Sequence, residues 1–281
     1  MSHARPWWHG EYRRARKSHR GRHLIPASSP AMLEHDNLEE FQDPANYDLE
    51  EAQNSIANGR FYADLAERVG GPVLELACGT GLVAIPVAQR GLAVTGVDAS
   101  RPMLEHAELK TGDVGCHWIL ADVRKLDLDE CFDLVYLTGN AFQAFLSDAD
   151  QSALLAVIRK HLSPDGVFAF ETRNPSAYDL NAVQDEERWF DYLNTEGCRV
   201  QVSGVQQFDE QARVMHWTTY RRWTQSGCER ECVTRIACRF SSLEELTELL
   251  STHGFSIEAC YGDFDCTPLQ PESEQFVLVC R

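Results

Sequence analysis

Residues 73–100 read VLELACGTGLVAIPVAQRGLAVTGVDAS. The apolar run Val73 to Ala77 lies between Gly70-Gly71-Pro72 and Gly79. A strand covered on both faces of a parallel sheet has this pattern. Cys78-Gly79-Thr80-Gly81 comes next, and Leu82, Ile85, Val87 and Ala88 then suit a helix. A second apolar run, Leu92 to Val97, ends on Asp98. Strand, glycine turn, helix, and strand with a terminal acid make the first half of a mononucleotide-binding α/β unit.

The spacing has chemical content. Glycines at a strand-to-helix turn lack the Cβ atoms that hold a ligand off the backbone, and they adopt positive φ freely. Free N–H groups of the following helix then face the ligand. An acid at the tip of the second strand can accept both hydroxyls of a ribose. Written generically the turn is G-x-G-x-x-A, which also fits a dinucleotide fingerprint. A nicotinamide-dependent oxidoreductase therefore stays open at this point.

The fuller string is more specific. Glu75-Leu76-Ala77-Cys78-Gly79-Thr80-Gly81 with Gly96-Val97-Asp98-Ala99-Ser100 resembles the first two motifs of the class I S-adenosylmethionine-dependent methyltransferases. The resemblance implies a Rossmann-like, doubly wound α/β sheet with a terminal antiparallel hairpin. It implies S-adenosyl-L-methionine as cofactor. Glu75, Ala77, Gly79 and Gly81 would lie at its methionyl part, and Asp98 and Ala99 at its ribose. Met103, Val123 and Leu137 would also border the cofactor, and Asp122 would meet the adenine amino group. Tyr47 and Arg60, upstream of the first strand, would lie over the methionine end, where a forked arginine contact suits a carboxylate.

Further along, Phe132 to Leu137 is a fourth strand and Val167 to Glu171 a fifth. Ligands in open α/β sheets bind outside the carboxyl ends of the strands. Asn140, Phe142 and Phe145 after the fourth strand, and Arg173 after the fifth, are thereby placed on the ligand side. Asn140 offers a donor and an acceptor, and Arg173 a fork for a substrate carboxylate or phosphate. From Trp189 to Arg239 the pattern turns to β-type runs: Arg199 to Val205, Val214 to Trp223 and Glu231 to Phe240. Turn-like Asp209-Glu210 and Gln225-Ser226-Gly227 separate them, as in antiparallel hairpins. An inserted antiparallel β subdomain in this place resembles the lids of small-molecule methyltransferases. Trp217 and Tyr220 would wall the substrate, and His216, the only histidine of the insertion, is a candidate base because its unperturbed pKa lies near neutrality.

The expected organisation is a disordered basic extension at 1–30, a cofactor-binding domain at 31–180 and 241–281, and a β-rich lid at 181–240. Net charge is −17, unevenly spread. Residues 1–24 carry seven Arg or Lys against Glu11 alone, a net +6, so the remainder carries −23. So acidic a body repels nucleic acid, which argues against a DNA or RNA substrate. The basic head has the composition of a nucleic-acid arm or a targeting peptide, and is read here as an extension. No apolar run approaches the ~20 residues that span a bilayer. Ten scattered cysteines without a C-x-x-C pair suggest reduced thiols in the cytoplasm. Cys228, Cys232 and Cys238 fit no standard zinc spacing, so no metal is expected.

The implied activity is methyl transfer from a sulfonium to an oxygen or nitrogen of a small-molecule acceptor by in-line displacement. Its donor is already activated, so alignment, exclusion of water and removal of a proton are what the protein must supply. A non-catalytic S-adenosylmethionine-binding protein is a further alternative, and association as a homodimer is compatible with the sequence.

Overall fold

A computed structural model describes residues 37–51, 54–181 and 185–281. The basic head at 1–24 and the extension to residue 30 lie outside these residues. Five strands, β1 (Val73–Leu76), β2 (Val94–Asp98), β3 (Cys116–Leu120), β4 (Phe132–Leu137) and β5 (Leu162–Arg173), form a parallel sheet in the order β3-β2-β1-β4-β5. Two later strands, β10 (Ile257–Tyr261) and β11 (Gln275–Cys280), extend it beyond β5. β11 pairs antiparallel with both β5 and β10, so the last strand in sequence lies inside the sheet. The expected doubly wound sheet with a terminal hairpin is present.

Helices cover both faces. α2 (Asn54–Val69) and α3 (Ala84–Ala88), with Val83 just before α3, pack Phe61, Tyr62, Leu65, Val83 and Val87 against Val73, Leu134 and Tyr136. On the other face α5 (Asp148–His161) and α6 (Leu243–Thr252) bury Leu154, Leu155, Ile158, Leu246 and Leu250 against Leu74, Leu76, Val135 and Phe168. Each such side chain contributes about 1.5–3 kcal/mol by leaving water. That two-sided cover explains why β1 and β2 are buried at every position. α6 starts on a reciprocal cap: the Ser242 hydroxyl accepts from the Glu245 N–H, and the Glu245 carboxylate accepts from the Ser242 N–H.

α4 (Arg101–Thr111) follows β2 and buries Met103, Leu104 and Ala107. Upstream of α2, a short α1 (Pro44–Glu51) follows a single 3-10 turn at Glu39–Phe41. β5 is longer than its apolar core suggests. It begins directly after α5 and takes Pro164-Asp165-Gly166 into an irregularity of its pairing with β4.

Between β5 and α6 lies a separate four-stranded antiparallel sheet: β6 (Glu187–Leu193), β7 (Arg199–Asp209), β8 (Val214–Gln225) and β9 (Cys228–Arg239), paired in that order. The turns fall at the expected residues, while β7 and β8 run past the β-type stretches read from sequence and β9 starts earlier, at Cys228, and ends at Arg239. One face carries a small apolar cluster built on Phe190, Val200, Val202, Met215 and Trp217.

Candidate active site

The glycine turn is the point where backbone and ligand space meet. Ala77, Gly79 and Gly81 all have positive φ (55°, 54° and 75°). The turn is locked to β2 through Asp98, whose Oδ2 accepts the Gly79 N–H at 2.8 Å and whose Oδ1 accepts the Ser100 N–H at 2.7 Å. Burial pushes the Asp98 carboxyl up, and the backbone N–H groups of Ser100, Gly79 and Ala99 oppose that shift. Met103 reaches beneath, its Cε 3.3 Å from where a Cβ on Gly79 would stand.

A cavity of about 360 Å³ opens at the carboxyl ends of the strands. Ala77, Gly79, Asp98, Ala99, Met103, Asp122, Val123 and Tyr47 line it. Asn140, Phe145, Arg173 and Trp217 line it too. Asp122 caps the 3-10 turn at Val123–Lys125 and is gripped by Arg124 through contacts of 2.9 Å on each oxygen, which holds its carboxyl below the usual range. Asn140 sits in the left-handed region (φ 57°) after Gly139, and its N–H donates to Glu171 Oε1 at 2.9 Å. Its side chain is buried, and Oδ1 has no hydrogen-bond partner. Arg173, also buried, donates to Gln143 Oε1 at 2.8 Å and stacks on Trp217, its guanidinium 5.6 Å from the ring centroid.

Several expected residues lie elsewhere. Glu75 is sealed beneath the turn, where its Oε2 accepts the Tyr136 hydroxyl at 2.7 Å. Gly81 and Gly96 are glycines because of Trp118: a Cβ would stand 2.7 and 2.4 Å from the indole. Gly81 therefore answers to packing and does not border the cavity. Leu137 is core, its carbonyl accepting the Tyr62 hydroxyl. Phe142 packs against Phe170 in the core, the tilted rings 4.6 Å apart, and does not line the cavity. Arg60 points to solvent and pairs with Asp265, because the buried side of α2 is that of Phe61, Tyr62 and Leu65. It does not reach the cavity.

The insertion needs a similar correction. Successive side chains of a strand point to opposite faces. Trp217 lines the cavity together with Ile236 and Cys238 of β9, its neighbours across the ladder. His216 and Tyr220 therefore project from the other face, where Tyr220 lies under Arg222 at 4.7 Å. Burial lowers the His216 pKa, with Asp209 opposing, and its Nε2 has no partner. It does not line the cavity.

From the segment 37–51 sequence alone picked out Tyr47 and missed Leu38, Glu40, Phe41 and Glu51, which line the wall beside it. Burial and then Glu51, Asp98, Asp48 and Glu75 raise the Tyr47 phenol well above its ordinary range. A signal existed in its acids: Glu40 and Glu50 both meet Arg221 of β8. Among the described residues no group of three or more metal-ligating side chains forms a cluster. None of their helices is long and apolar enough to cross a membrane.

Sheet order, terminal hairpin and the cavity at the glycine turn define a Rossmann-like methyltransferase fold. Residues 73–166 match the family model described as Methyltransferase domain. It is 36% identical over 109 residues to the cypemycin N-terminal methyltransferase of a Streptomyces species, a match covering 39% of this chain and 44% of that one. The chain thus spans less than half the length of that relative. It is 26% identical over 223 residues to the putative methyltransferase YqeM of Bacillus subtilis (strain 168), covering 76% and 84%. Among solved structures, the CcbJ methyltransferase from Streptomyces caelestis superposes with a TM-score of 0.74 at 23% identity, covering 88% of this chain and 99% of that one.

Proposed function

We propose that this protein is an S-adenosylmethionine-dependent methyltransferase that methylates an oxygen or nitrogen of a small molecule by in-line transfer. The observation that carries this is one continuous cavity, walled at one end by the Asp98-locked glycine turn and at the other by Asn140, Arg173 and Trp217. The residues fit the cofactor. Asp98 would accept the ribose hydroxyls, Asp122 and Val123 would meet the adenine, and Ala77 and Gly79 would let the methionyl part approach the backbone. Tyr47 and Glu51 would face its charged end. Bound there, S-adenosylmethionine supplies a methyl group already activated on a sulfonium, leaving a neutral thioether.

The chain's own groups would do the rest. The unpartnered Asn140 Oδ1 would accept a hydrogen bond from the N–H or O–H of the acceptor and so orient its lone pair. Arg173 would hold an anionic group of the acceptor, and Trp217 and Phe145 would exclude water. In this reading the sheet of β6–β9 works as a lid, and the proton that the acceptor gives up on methylation passes to solvent. The relative named for methylating an N-terminus brings amines forward as acceptors. All ten cysteines are free thiols, which suits a cytoplasmic setting.

Calorimetric titration with S-adenosylmethionine, its demethylated product S-adenosylhomocysteine, and NADH tests the donor. The first two are expected to bind and NADH is not; binding of NADH alone would make the protein an oxidoreductase candidate. Transfer of labelled methyl to matched amines and alcohols, with and without a carboxylate, then tests the acceptor. Binding without transfer to any of them would leave a cofactor-binding protein.

A further inference from the structure

The segment 37–51 is held in an unusual way. The 3-10 turn at Glu39–Phe41 buries no side chain, and the fully buried residues of α1 are Glu50 and Glu51. Polar contacts therefore do the fastening. On one side Asp48 accepts from Thr80 of the glycine turn and from Lys110 of α4, each at 2.5 Å, and meets His106 at 3.0 Å. On the other, Asn37 mimics a strand residue: its amide donates to the Ala237 carbonyl at 2.9 Å and accepts the Ala237 N–H at 2.8 Å.

The strongest tie is Arg221. Its Nε and Nη2 donate to the two carboxylate oxygens of Glu50 at 2.8 and 3.0 Å, and Nη2 also reaches Glu40 at 2.7 Å. Nη1 donates to Thr234 Oγ1, which itself donates to Glu40. The side chains of this trio are 12%, 3% and 7% exposed. Arg221 stands on the same face of β8 as Trp217, the face that closes the cavity. A segment attached by ions and hydrogen bonds rather than by apolar burial belongs to the part of a protein that opens most readily.

From this we infer that Arg221 is a positioning residue for the cofactor cavity. By bridging Glu40 and Glu50 it holds segment 37–51 shut against the four-stranded sheet and sets how long the nucleoside ligand stays. The inference rests on the proposed reading of the cavity as an S-adenosylmethionine site. It adds that the sheet bearing the acceptor wall and the segment bearing part of the cofactor wall move as one latch.

S-adenosylhomocysteine is a sufficient probe, because no acceptor is needed. Its dissociation rate would be followed by stopped-flow displacement in the full chain, with hydrogen exchange of residues 37–51 alongside. Arg221→Gln is expected to speed dissociation tenfold or more and to expose the 37–51 amides. Arg221→Lys is expected to fall between, since one ammonium cannot fork across two carboxylates. Should Arg221→Gln fail to fold with two buried acids left facing each other, the combination Arg221→Met, Glu40→Gln, Glu50→Gln removes the charges together and is expected to release ligand as fast. A folded variant with the wild-type dissociation rate, or with unchanged protection at 37–51, overturns the latch while the cofactor reading stands. Absence of S-adenosylhomocysteine binding to the wild-type protein overturns the cofactor reading itself and takes the latch with it.

Discussion

Asp98 is engaged twice by backbone N–H groups, so its carboxylate is fixed before any ligand arrives. In the proposed complex its loss would remove two charge-assisted contacts to a ribose, each worth about 1.5–3 kcal/mol. Asp98→Ala is therefore expected to weaken S-adenosylhomocysteine about a hundredfold or more in calorimetry; affinity within threefold of wild type would remove Asp98 from the ribose. Glu75 gives a different kind of prediction. Burial, opposed by the Tyr136 hydrogen bond and reinforced by Asp98 and Glu171, raises its pKa to about 8 from an unfolded value of 4.5. The native chain then keeps a proton that the unfolded chain gives up. The stability this confers is complete below pH ~4.5 and is lost as pH rises toward ~8. Glu75→Gln imitates the protonated form, so its urea midpoint should vary less between pH 5 and 8 than that of wild type; an unchanged slope would contradict the assignment. Both acids were legible in the sequence, because strand ends and glycine turns are local signals. Their distinct roles were not, since only packing shows that one faces the cavity and the other a tyrosine.

At the level of elements, β2 and β3 meet through a glycine and an indole. Gly96 stands opposite Trp118 in the ladder, and a methyl group at position 96 would enter the ring's space. Gly96→Ala should cost about 1–3 kcal/mol in chemical denaturation. In combination with Trp118→Leu the total should be less than the sum of the two, and strict additivity would deny the contact. Strands and helices were readable here from apolar period and turn residues. Which face of an element meets the site was harder to read. On β8 the alternation that separates Trp217 from His216 and Tyr220 is present in the sequence, yet nothing local says which set faces inward. On α2 the neighbours Phe61 and Tyr62 take the core, and the helix turns Arg60 outward to Asp265.

For the whole molecule, the least legible part of the site is the one assembled over the greatest chain distance. Asn37 meets Ala237, and Glu40 meets Arg221; no window of sequence contains either pair. A ligand bridging such parts should stabilise the fold as a unit. At a hundredfold excess over its dissociation constant, S-adenosylhomocysteine adds about 2.7 kcal/mol. For a chain of this size that is a Tm rise of about 5–10 °C. No rise at saturating ligand, measured by calorimetry, would mean that the cavity binds nothing of the kind.

β11 has a bearing on the birth of the protein. Residues 275–280 fill the gap between β5 and β10, so β10 has no neighbour in the sheet until they emerge from the ribosome. Until then the Phe168–Phe170 flank of β5 offers an open ladder of amides and carbonyls to any passing strand. A chain interrupted before residue 275 should consequently be a sticky, chaperone-dependent product.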